Sequence, residues 1–373
     1  MMKIIEVKSK KELLKFIKFP FEIYKNDENW VAPLIMDMKN FFNPKKNPFF
    51  EHSEAQLFLA EKDGEIVGRI SAQTNTQHNK FHDENIGFWG FFECVDDQKV
   101  AEKLFESAIN WLKNKKCEVA RGPMNFSTND ECGLLIDGFD SMPFVMMTHN
   151  PAYYQKLIES CGMIKSMDLL AYLMPVTKAP ERLAKLSAKI EKRGGFTVRT
   201  LNKKTKKTLK KDIETVFTIY SKAWERNWGF VPMTKKEFDH LVMELLPIIE
   251  PDLVFIAEVD GEPAGFSVAL PDYNFVLQKM KGKLFPTGIL KALYFKNKIP
   301  RLRVLTMGVI KEYQNRGIDA VFYNKSFEMA YKLEYKSGEF SWILENNLMM
   351  NRIATNIGGK VHKRYRIFDK TIT

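Results

Sequence analysis

The chain has 373 residues, 45% of them hydrophobic, and a formal net charge of +11. Its length and apolar content exclude an intrinsically disordered chain and predict two folded units of roughly 150 to 200 residues each, while the charge favours anionic partners without identifying them. The Lys- and Glu-containing N-terminus, the lack of any stretch of ~20 uncharged apolar residues and the four cysteines without Cys-x-x-Cys spacing lead us to expect no secretion signal, no membrane span and a cytoplasmic location.

Taken in chain order, the predicted elements occur twice, as in a duplicated fold. The first matched pair is a helix-and-loop segment, PFEIYKNDENWVAP and later VFTIYSKAWERNWGFVP. The second is a pair of β-hairpins, QLFLAEKDGEIVGRISA and LVFIAEVDGEPAGFSVA, each with alternating strands around an Asp-Gly turn. The third is an Asn followed by a helical segment that ends at a Gly, from Asn150 to Gly162 and from Asn347 to Gly358. The two Asn residues are 197 positions apart, as are the turn residues Asp63 and Asp260.

The matched landmarks predict two homologous domains, residues 1–175 and 198–373. A separate helix is predicted within 176–197, between Pro175 and the Gly194-Gly195 break. The fold class is α/β in the broad sense (α+β), with a mixed, mostly antiparallel sheet flanked by helices in each domain. The second domain carries an insertion at 274–303, for which we favour a lid over the acceptor pocket rather than a dimer contact or a membrane-surface element.

The second domain contains a strand, a loop and a helix in succession, VLTMGVI, KEYQNRG and a segment with apolar residues on one face. Gly317 falls at the first turn of that helix, where free backbone N–H groups could bind a pyrophosphate. The motif from Gln314 to Ala320 resembles the pyrophosphate loop of the GNAT superfamily of N-acetyltransferases, Arg/Gln-x-x-Gly-x-Gly/Ala. Asp319 stands where that loop has a small uncharged residue.

Two further features strengthen the resemblance. The spacing from Asn347 to the helix-closing Gly358 is similar to that after the fifth strand of GNAT proteins, and the Asp-Gly hairpin is similar to their second and third strands. The segments RGPMNFSTNDECGLLIDGFD and NWGFVP resemble a bacterial group of two-domain GNAT proteins. The resemblance covers nearly the whole chain and implies an acyl-CoA dependent N-acyltransferase that transfers an acetyl group, or another acyl group, to a small-molecule or peptide amine.

The resemblance also implies the positions that would hold acetyl-CoA or another acyl-CoA. The backbone of Val309 would face the thioester, and Asn347 would touch the pantetheine region. Gln314 and Asn315 belong to the same cofactor site, whose N–H donors to the pyrophosphate would come from the loop residues Arg316, Gly317, Ile318, Asp319 and Ala320. A carboxylate of Asp319 that points to solvent is compatible with this role, whereas one that folds onto the N–H groups would repel phosphate.

The catalytic residues are less well marked. Many GNAT enzymes place a Tyr acid four residues before the helix-closing Gly, where this chain has Ala354 and, in the first domain, Ile158. Glu345 is the candidate general base, with a solvent-exposed or ion-paired Glu as the alternative.

Two groups of residues are candidates for the acceptor site. The first lies in the opening helix and loop of the second domain and comprises Trp224, Asn227 and Trp228. The second is a polar run in the first domain that includes Asn125, Ser127 and Asn129, for which turn capping is an equal alternative. In the first domain Asp96 and Asp97 replace a phosphate loop, so we expect a degenerate domain that does not bind coenzyme A in the usual manner.

Three functional alternatives remain open from the sequence. A Fem-type peptidyltransferase also joins two GNAT-like domains and would use aminoacyl-tRNA, although nucleic acid binding is otherwise not expected. A non-catalytic GNAT-fold binding protein is the third possibility. No metal site is expected, because the only close histidine pair, His78 and His82, lies in a polar segment, QHNKFHDEN, that we predict to be a loop.

Overall fold

The computed structural model describes residues 2–223 and 227–372. In chain order, the elements of the first half are β1 (Met2–Glu6), α1 (Lys10–Ile23), α2 (Ile35–Phe41), β2 (Ala55–Lys62), β3 (Glu65–Thr74), α3 (Thr76–His82), β4 (Ile86–Cys94), α4 (Gln98–Asn114), β5 (Val119–Gly122), β6 (Met124–Asn125), β7 (Glu131–Cys132), β8 (Leu134–Asp137), α5 (Tyr154–Ser160) and β9 (Ile164–Pro175).

The second half continues with α6 (Glu181–Arg193), β10 (Thr197–Thr200), α7 (Lys206–Ala223), α8 (Lys235–Leu245), β11 (Val254–Val259), β12 (Glu262–Pro271), α9 (Asn274–Met280), α10 (Gly288–Phe295), β13 (Arg301–Val309), α11 (Ile318–Lys332), β14 (Ser337–Leu344), α12 (Leu348–Asn356) and β15 (Lys360–Thr371). Single 3-10 turns lie at Pro48–Glu51, Pro251–Leu253, Lys296–Lys298 and Lys311–Tyr313. No helix in the described part of the chain is long and apolar enough to cross a lipid bilayer.

The chain forms two compact units that are not two consecutive halves. Unit 1 comprises Met1–Leu170, Val276–Tyr294 and Lys363–Thr373, and unit 2 comprises Ala171–Phe275 and Phe295–His362. The ranges 1–175 and 198–373 therefore differ from the units, because part of the insertion and the end of the chain belong to unit 1. Residues 363–373 belong to unit 1 because of strand pairing, since Phe368 lies opposite Gly122 in an antiparallel ladder between β15 and β5.

In unit 1 the strand order is β1-β2-β3-β4-β5-β15, with β8 also beside β15. The pair β4–β5 is parallel and the other pairs are antiparallel. Side chains alternate between two apolar clusters: Phe58 and Ala60 pack with α4, whereas Leu57 and Leu59 pack with α1. Helices therefore cover both faces of this sheet.

In unit 2 the strand order is β10-β11-β12-β13-β14, and β13–β14 is the parallel pair. The predicted hairpins are confirmed in both units: Asp63 and Asp260 have φ of 53° and 51°, and the glycine that follows each also has positive φ. This is the geometry that an Asp-Gly turn favours. The register shift after Ala60 in β2 recurs after Ala257 in β11, so the duplication extends to the β-bulge.

Helix α6 confirms the helix predicted within 176–197, and it packs against α11 within unit 2. The prediction of a loop at QHNKFHDEN is wrong, because α3 covers most of that segment. Asn75 caps this helix by accepting a hydrogen bond from the His78 amide at 3.0 Å, and Asp83 ends it in the left-handed conformation. The ring of His78 is buried against that of Phe88, so this polar helix packs on unit 1 through an imidazole ring.

Candidate functional site

The two parallel strands of unit 2, β13 and β14, form a fork. Their ladder runs only from Arg301 opposite Ser337 to Val304 opposite Phe340. On its other side β13 has a bulge, because Val304 and Thr306 face consecutive residues of β12 and Leu305 has no place in that ladder. A bulge bends its strand. Beyond this point each strand presents its edge to the space between them.

The fork is accessible. All residues from Leu305 to Val309 are partly exposed, although β13 lies between two other strands. Met307 and Val309 pack with the buried Phe322 of α11, so by strand alternation Thr306 and Gly308 project from the opposite face of the sheet. A slot between two strands, with backbone groups along one edge, can take an extended chain in the manner of an added strand.

The loop from Gln314 to Ala320 follows β13. Gln314 donates a hydrogen bond from Nε2 to the carbonyl of Val309 at 3.1 Å, which ties the loop to the end of the strand. Asn315 has φ of 63°, and Arg316 lies over the ring of Tyr313 at 5.4 Å. The side chains of Gln314, Asn315 and Arg316 are exposed, whereas that of Tyr313 is partly exposed.

Gly317 is the N-cap of α11 and has φ of 83°. Ile318 is buried in the core and Ala320 is half-buried. A Cβ on Gly317 would lie 2.5 Å from Cδ1 of Ile190 in α6. The glycine therefore serves the backbone conformation and the packing of α6, besides any role in ligand binding.

Asp319 lies in the first turn of α11 and is exposed. No hydrogen bond joins its carboxylate to the loop amides in the described structure. This is the orientation that leaves those amides accessible to an anion. Its charge helps to raise the pKa of Tyr323, although burial of that tyrosine is the larger cause.

Asn347 and Glu345 lie between β14 and α12. Asn347 is the N-cap of α12, and its Oδ1 accepts from the Met350 amide at 3.1 Å. Glu345 is partly exposed, and its backbone carbonyl accepts from the Asn351 side chain at 3.2 Å. Leu348 and Met349 follow directly and are 73% and 72% exposed. The helix thus begins with a satisfied cap and an outward apolar pair.

A tyrosine that the sequence analysis missed lies below the fork. Ala354 is buried in α12 and offers no hydroxyl, but Tyr323 of α11 lies with its ring 5.9 Å from that of Phe340. Its hydroxyl is 3.5 Å from Sδ of Met350 in the first turn of α12. Burial raises the pKa of Tyr323, so the hydroxyl keeps its proton at neutral pH.

A buried charged cluster, which the sequence analysis also missed, lies at the base of the fork. Glu339 of β14 is fully buried, and its Oε2 is 2.7 Å from Nε2 of His362, whose side chain is 16% exposed. Arg303, directly opposite Glu339 in the ladder, donates to Oγ of Ser341 at 2.7 Å and stacks on Trp342 at 4.7 Å. A signal was present in the sequence, because Arg303 and Glu339 are charged residues flanked on both sides by Leu302, Val304, Gly338 and Phe340.

This cluster shares a face of the sheet with the open side of the fork. Phe340 points to α11, so the neighbouring Glu339 and Ser341 point to the opposite face, as Thr306 and Gly308 do. The Oε1 atom of Glu339 accepts no hydrogen bond from the described residues and lies 4.0 Å from Nε of Arg303. A buried carboxylate beside a partly exposed imidazole is the arrangement of a positioned acid–base pair.

The equivalent fork in unit 1 is filled by the chain itself. The β4–β5 ladder ends at Phe88 opposite Arg121, and the chain then turns into β6. A Cβ on Gly90 would lie 1.9 Å from the Met124 carbonyl, so β6 lies directly against β4.

Side chains occupy the edge of β4 as well. Asn125 Oδ1 accepts from the Phe91 amide at 2.8 Å. The hydroxyl of Tyr154 accepts from the Cys94 amide at 2.9 Å, and that of Tyr153 donates to the Cys94 carbonyl at 2.8 Å. Of the residues of β4, only Glu93 is not buried.

Glu93 itself is held in a buried polar network. It accepts from the hydroxyls of Tyr24 and Tyr154 at 2.7 and 2.8 Å and pairs with Arg69 at 3.4 Å. Burial raises the pKa of Glu93, against the lowering effect of Arg69. All three partners of the Glu93 carboxylate belong to unit 1. The network therefore stabilises the edge of β4, whereas the corresponding edge of β13 in unit 2 is open.

The remaining predicted acceptor residues are dispersed. Ser127 and Asn129 lie in a turn closed by Asp130, with the Asn129 amide donating to Ser127 Oγ at 3.1 Å and Ser127 Oγ 3.1 Å from Asp130 Oδ2. Asn125 and Ser127 belong to unit 1, whereas Asn227 and Trp228 belong to unit 2. Asn227 is exposed and Trp228 is partly exposed. Trp224 lies outside the described residues.

The rings of His78 and His82 are 4.5 Å apart. Burial lowers the pKa of His78 to about 4, against the opposing effect of its hydrogen bond with Glu84. Within residues 2–223 and 227–372 no group of three or more His, Cys, Asp or Glu could hold a metal ion.

The fold defines a protein with two GNAT-like domains, which confirms the predicted fold class. A tandem GNAT protein from the clavulanic acid biosynthesis pathway is similar over 100% of this chain and 99% of its own, with a TM-score of 0.58 and 9% identity. A GCN5-related N-acetyltransferase from Sphaerobacter thermophilus is similar over 99% and 96%, with a TM-score of 0.54 and 14% identity. At these identities the likeness concerns the fold alone.

Two relatives are similar in sequence over nearly their whole length. The chain is 38% identical over 376 residues to a protein named bacterial ceramide synthase from Caulobacter vibrioides (strain NA1000 / CB15N), with 99% of this chain and 97% of that protein covered. It is 36% identical over 373 residues to protein YghO of Escherichia coli (strain K12), with 98% and 94% covered. No protein-family model matches the sequence. The chain belongs to the family of these two proteins, whose fold here is a tandem pair of GNAT-like domains.

Proposed function

We propose that the protein is an acyl-CoA dependent N-acyltransferase with one cosubstrate site, at the fork between β13 and β14. The observation that carries the proposal is the contrast between the two forks. In unit 2 the edge from Leu305 to Val309 is open, whereas in unit 1 the equivalent edge is covered by Met124, Asn125 and two tyrosines. Only the open fork leaves room for an extended thioester arm.

The residues around the open fork fit such a cosubstrate. Backbone groups of β13 up to Val309 would pair with the amides of the pantetheine arm, and the N–H groups at the start of α11 would donate hydrogen bonds to the pyrophosphate oxygens. Asn347, which follows β14, would contact the pantetheine arm from the opposite side of the fork. The group supplies an electrophilic thioester carbonyl when bound, and the protein's contribution is to hold it beside the acceptor amine.

We infer that the acceptor is a long-chain amine and that the acyl group is also long. Two observations support this: the relative from Caulobacter vibrioides is named a ceramide synthase, and a ceramide is the amide of a fatty acid with a long-chain amino alcohol. Leu348 and Met349 also place an exposed apolar pair at the start of α12, next to Asn347. Exposed apolar pairs beside a binding slot suit alkyl chains. Acetyl-CoA with a small or peptide amine is the competing cosubstrate pair.

The acid–base groups can be assigned on the two sides of the sheet. The acceptor would attack as the neutral amine, after its ammonium form has lost a proton to solvent. As the amine nitrogen bonds to the carbonyl carbon, His362, held by Glu339, would take the proton that the nitrogen releases, and the buried carboxylate would stabilise the imidazolium until it returns that proton to solvent. The carbon–sulfur bond breaks, and the departing thiolate takes a proton from Tyr323 on the α11 side. Tyr323 regains that proton from solvent. Glu345 is the alternative base.

Calorimetric titration with coenzyme A, acetyl-CoA and palmitoyl-CoA tests the site. We expect about one site per chain, because the unit 1 fork is filled. A variant that fills the open fork, Thr306→Trp, should lose binding, whereas Met243→Trp, a substitution of similar size on exposed α8, should not. A folded sample that gives no heat with any of the three ligands overturns the proposal.

Thiol release on mixing the protein with an acyl-CoA and an amine tests the chemistry. Release with palmitoyl-CoA and a long-chain amino alcohol, but not with acetyl-CoA and a short amine, supports the long-chain assignment. The reverse preference overturns that assignment while leaving the N-acyltransferase proposal intact.

A further inference from the structure

The segment from Lys281 to Tyr294 carries the largest group of exposed apolar side chains on unit 1. Phe285 is 66% exposed, Leu290 is 68% exposed, Leu293 is 57% exposed and Ile289 is 37% exposed. Ile289, Leu290 and Leu293 lie on one face of α10, since positions i, i+1 and i+4 fall within about 100° of a helix. A folded protein does not usually expose so many large apolar groups together without a partner.

The inner side of the segment is firmly attached to unit 1. Val276 and Met280 are buried, and Gln278 Nε2 donates to the Glu28 carbonyl at 2.8 Å. The Ile35 amide donates to the Gly282 carbonyl at 3.2 Å, and a Cβ on Gly282 would lie 2.6 Å from the ring of Phe21. The outward face of α10 is therefore held in place by a packed inner layer.

The charged side chains within this segment all have the same sign. No Asp or Glu occurs between Asp272 and Glu312, whereas lysines occur throughout that stretch. Lys281 and Lys283 are exposed just before Phe285. Lys291 reaches back along the segment and donates to the Lys279 carbonyl at 2.8 Å. An apolar face whose own segment carries lysines and no acidic residue is complementary to a bilayer that contains anionic lipid.

We propose that the α10 face, defined as Phe285, Ile289, Leu290 and Leu293 with Lys281 and Lys283, docks onto the surface of an anionic membrane. The apolar side chains enter the interface between headgroups and acyl chains, and the lysines remain at the level of the phosphates. The inference uses the proposed function only to explain why docking is useful, because long-chain substrates reside in membranes. The docking itself stands on the exposed side chains and the charge.

A second copy of the chain is a less suitable occupant. Two such faces would bring their lysine rims together, and like charges at a contact oppose association. A phosphate-bearing lipid surface satisfies both the apolar side chains and the lysines at once.

Cosedimentation with vesicles tests the proposal without any acyl-CoA or amine, so its outcome is independent of the proposed activity. We expect binding to vesicles of phosphatidylglycerol and phosphatidylethanolamine, and weak binding to phosphatidylcholine alone. The double substitution L290D/L293D should reduce binding by roughly tenfold or more, because two buried apolar contacts are replaced by charges. Replacing Lys281 and Lys283 by Gln should remove part of the salt dependence.

Met243→Asp is the matched control, because Met243 is 68% exposed on α8 of unit 2 and is not part of the α10 face. Thermal unfolding should be unchanged in all of these variants, since the substituted side chains are exposed. Equal vesicle binding by wild type and L290D/L293D overturns the proposal. So does a loss of self-association in that variant, measured by sedimentation velocity, without any vesicle binding by the wild type.

Discussion

Gly317 and Ile190 pack closely, because a Cβ on Gly317 would lie only 2.5 Å from Cδ1 of Ile190. The glycine of the loop that resembles a pyrophosphate motif therefore also serves the packing of α6 on α11. Loss of activity on substituting Gly317 would not by itself indicate phosphate binding. The packing role of Gly317 is measured by stability, and anion binding by the loop is measured by the affinity for coenzyme A.

Substitution G317A should destabilise the protein through two effects. Positive φ costs a non-glycine residue roughly 1–2 kcal/mol, and the new methyl group meets Ile190. In the double variant G317A/I190A the clash is relieved but the backbone cost remains, so part of the loss should return. Urea denaturation measures the free energy of unfolding of each variant. G317A is compared with the wild type, and G317A/I190A is compared with I190A. Unchanged stability of G317A would contradict this reading of the loop.

Asp319 gives a cleaner test of anion binding at the loop. Its carboxylate is exposed at the start of α11, near the proposed pyrophosphate position. Removing one negative charge there is worth about 0.3–1 kcal/mol, so D319N should bind coenzyme A roughly two- to fivefold more tightly at low salt. The same change should slightly weaken the helix. Affinity from calorimetry is compared with that of E262Q, an exposed charge removal on β12, which should have no effect.

His362 and Glu345 compete for the role of general base. Removing a positioned base lowers turnover by about 10²–10⁴-fold. We expect H362Q to show such a loss in kcat with little change in coenzyme A affinity, whereas E345Q should retain most activity. E339Q should resemble H362Q and shift the pH dependence of kcat, because the carboxylate acts through the imidazole. A loss confined to E345Q would transfer the role to Glu345.

Tyr323 is the expected proton donor to the leaving thiolate. Burial raises its pKa, so it remains protonated through the neutral range. Y323F keeps the ring contact with Phe340 and removes the hydroxyl, and it should reduce thiol release without loss of stability. Y331F, at an exposed tyrosine of the same helix, is the control. Equal rates in Y323F and wild type would exclude Tyr323 as the acid.

His78 predicts the acid sensitivity of unit 1. Burial lowers its pKa from 6.5 to about 4, so the folded state binds its proton less readily than the unfolded state does. Stability is therefore complete above about pH 6.5 and falls as the pH is lowered toward 4. At about 1.4 kcal/mol for each pKa unit, the full loss is on the order of 3–4 kcal/mol.

Urea midpoints at several pH values measure this effect. H78N should be less stable at neutral pH but should lose less between pH 6.5 and 4, whereas H240N, at a more exposed histidine, should follow the wild type. Parallel curves for H78N and wild type would assign the acid sensitivity to other groups.

The parts of the fold that local chemistry specifies were predictable. Asp63 and Asp260 specify tight turns through their own conformational preference, and Pro175 with Gly194-Gly195 delimits α6. Helix α3 was missed because its stability depends on the burial of one side of His78, which a polar sequence does not reveal. Capping by Asn75 was the local signal that could have indicated it.

The features that depend on tertiary pairing were not predictable from one sequence. The fork depends on a bulge at Leu305 that exists only in the pairing of β12 with β13. Glu339 and His362 come together because β14 and β15 place them 2.7 Å apart, although they are distant along the chain. The placement of Arg303 and Glu339 between uncharged neighbours in predicted strands was a usable signal, since buried charges are rare unless paired.

The strand β15 has a consequence for how the protein is made. Residues Phe368 to Thr371 pair with Gly122 to Val119, so the sheet of unit 1 receives a strand from a segment about 250 residues further along the chain. During synthesis the first 170 residues leave the ribosome long before that strand exists, and the edge of β5 stays uncovered until residues 368 to 371 have been made. Such an edge can pair with other chains. Recombinant fragments that stop before residue 363 should therefore aggregate, and a domain boundary chosen by sequence duplication alone would yield a first domain without one of its own sheet strands.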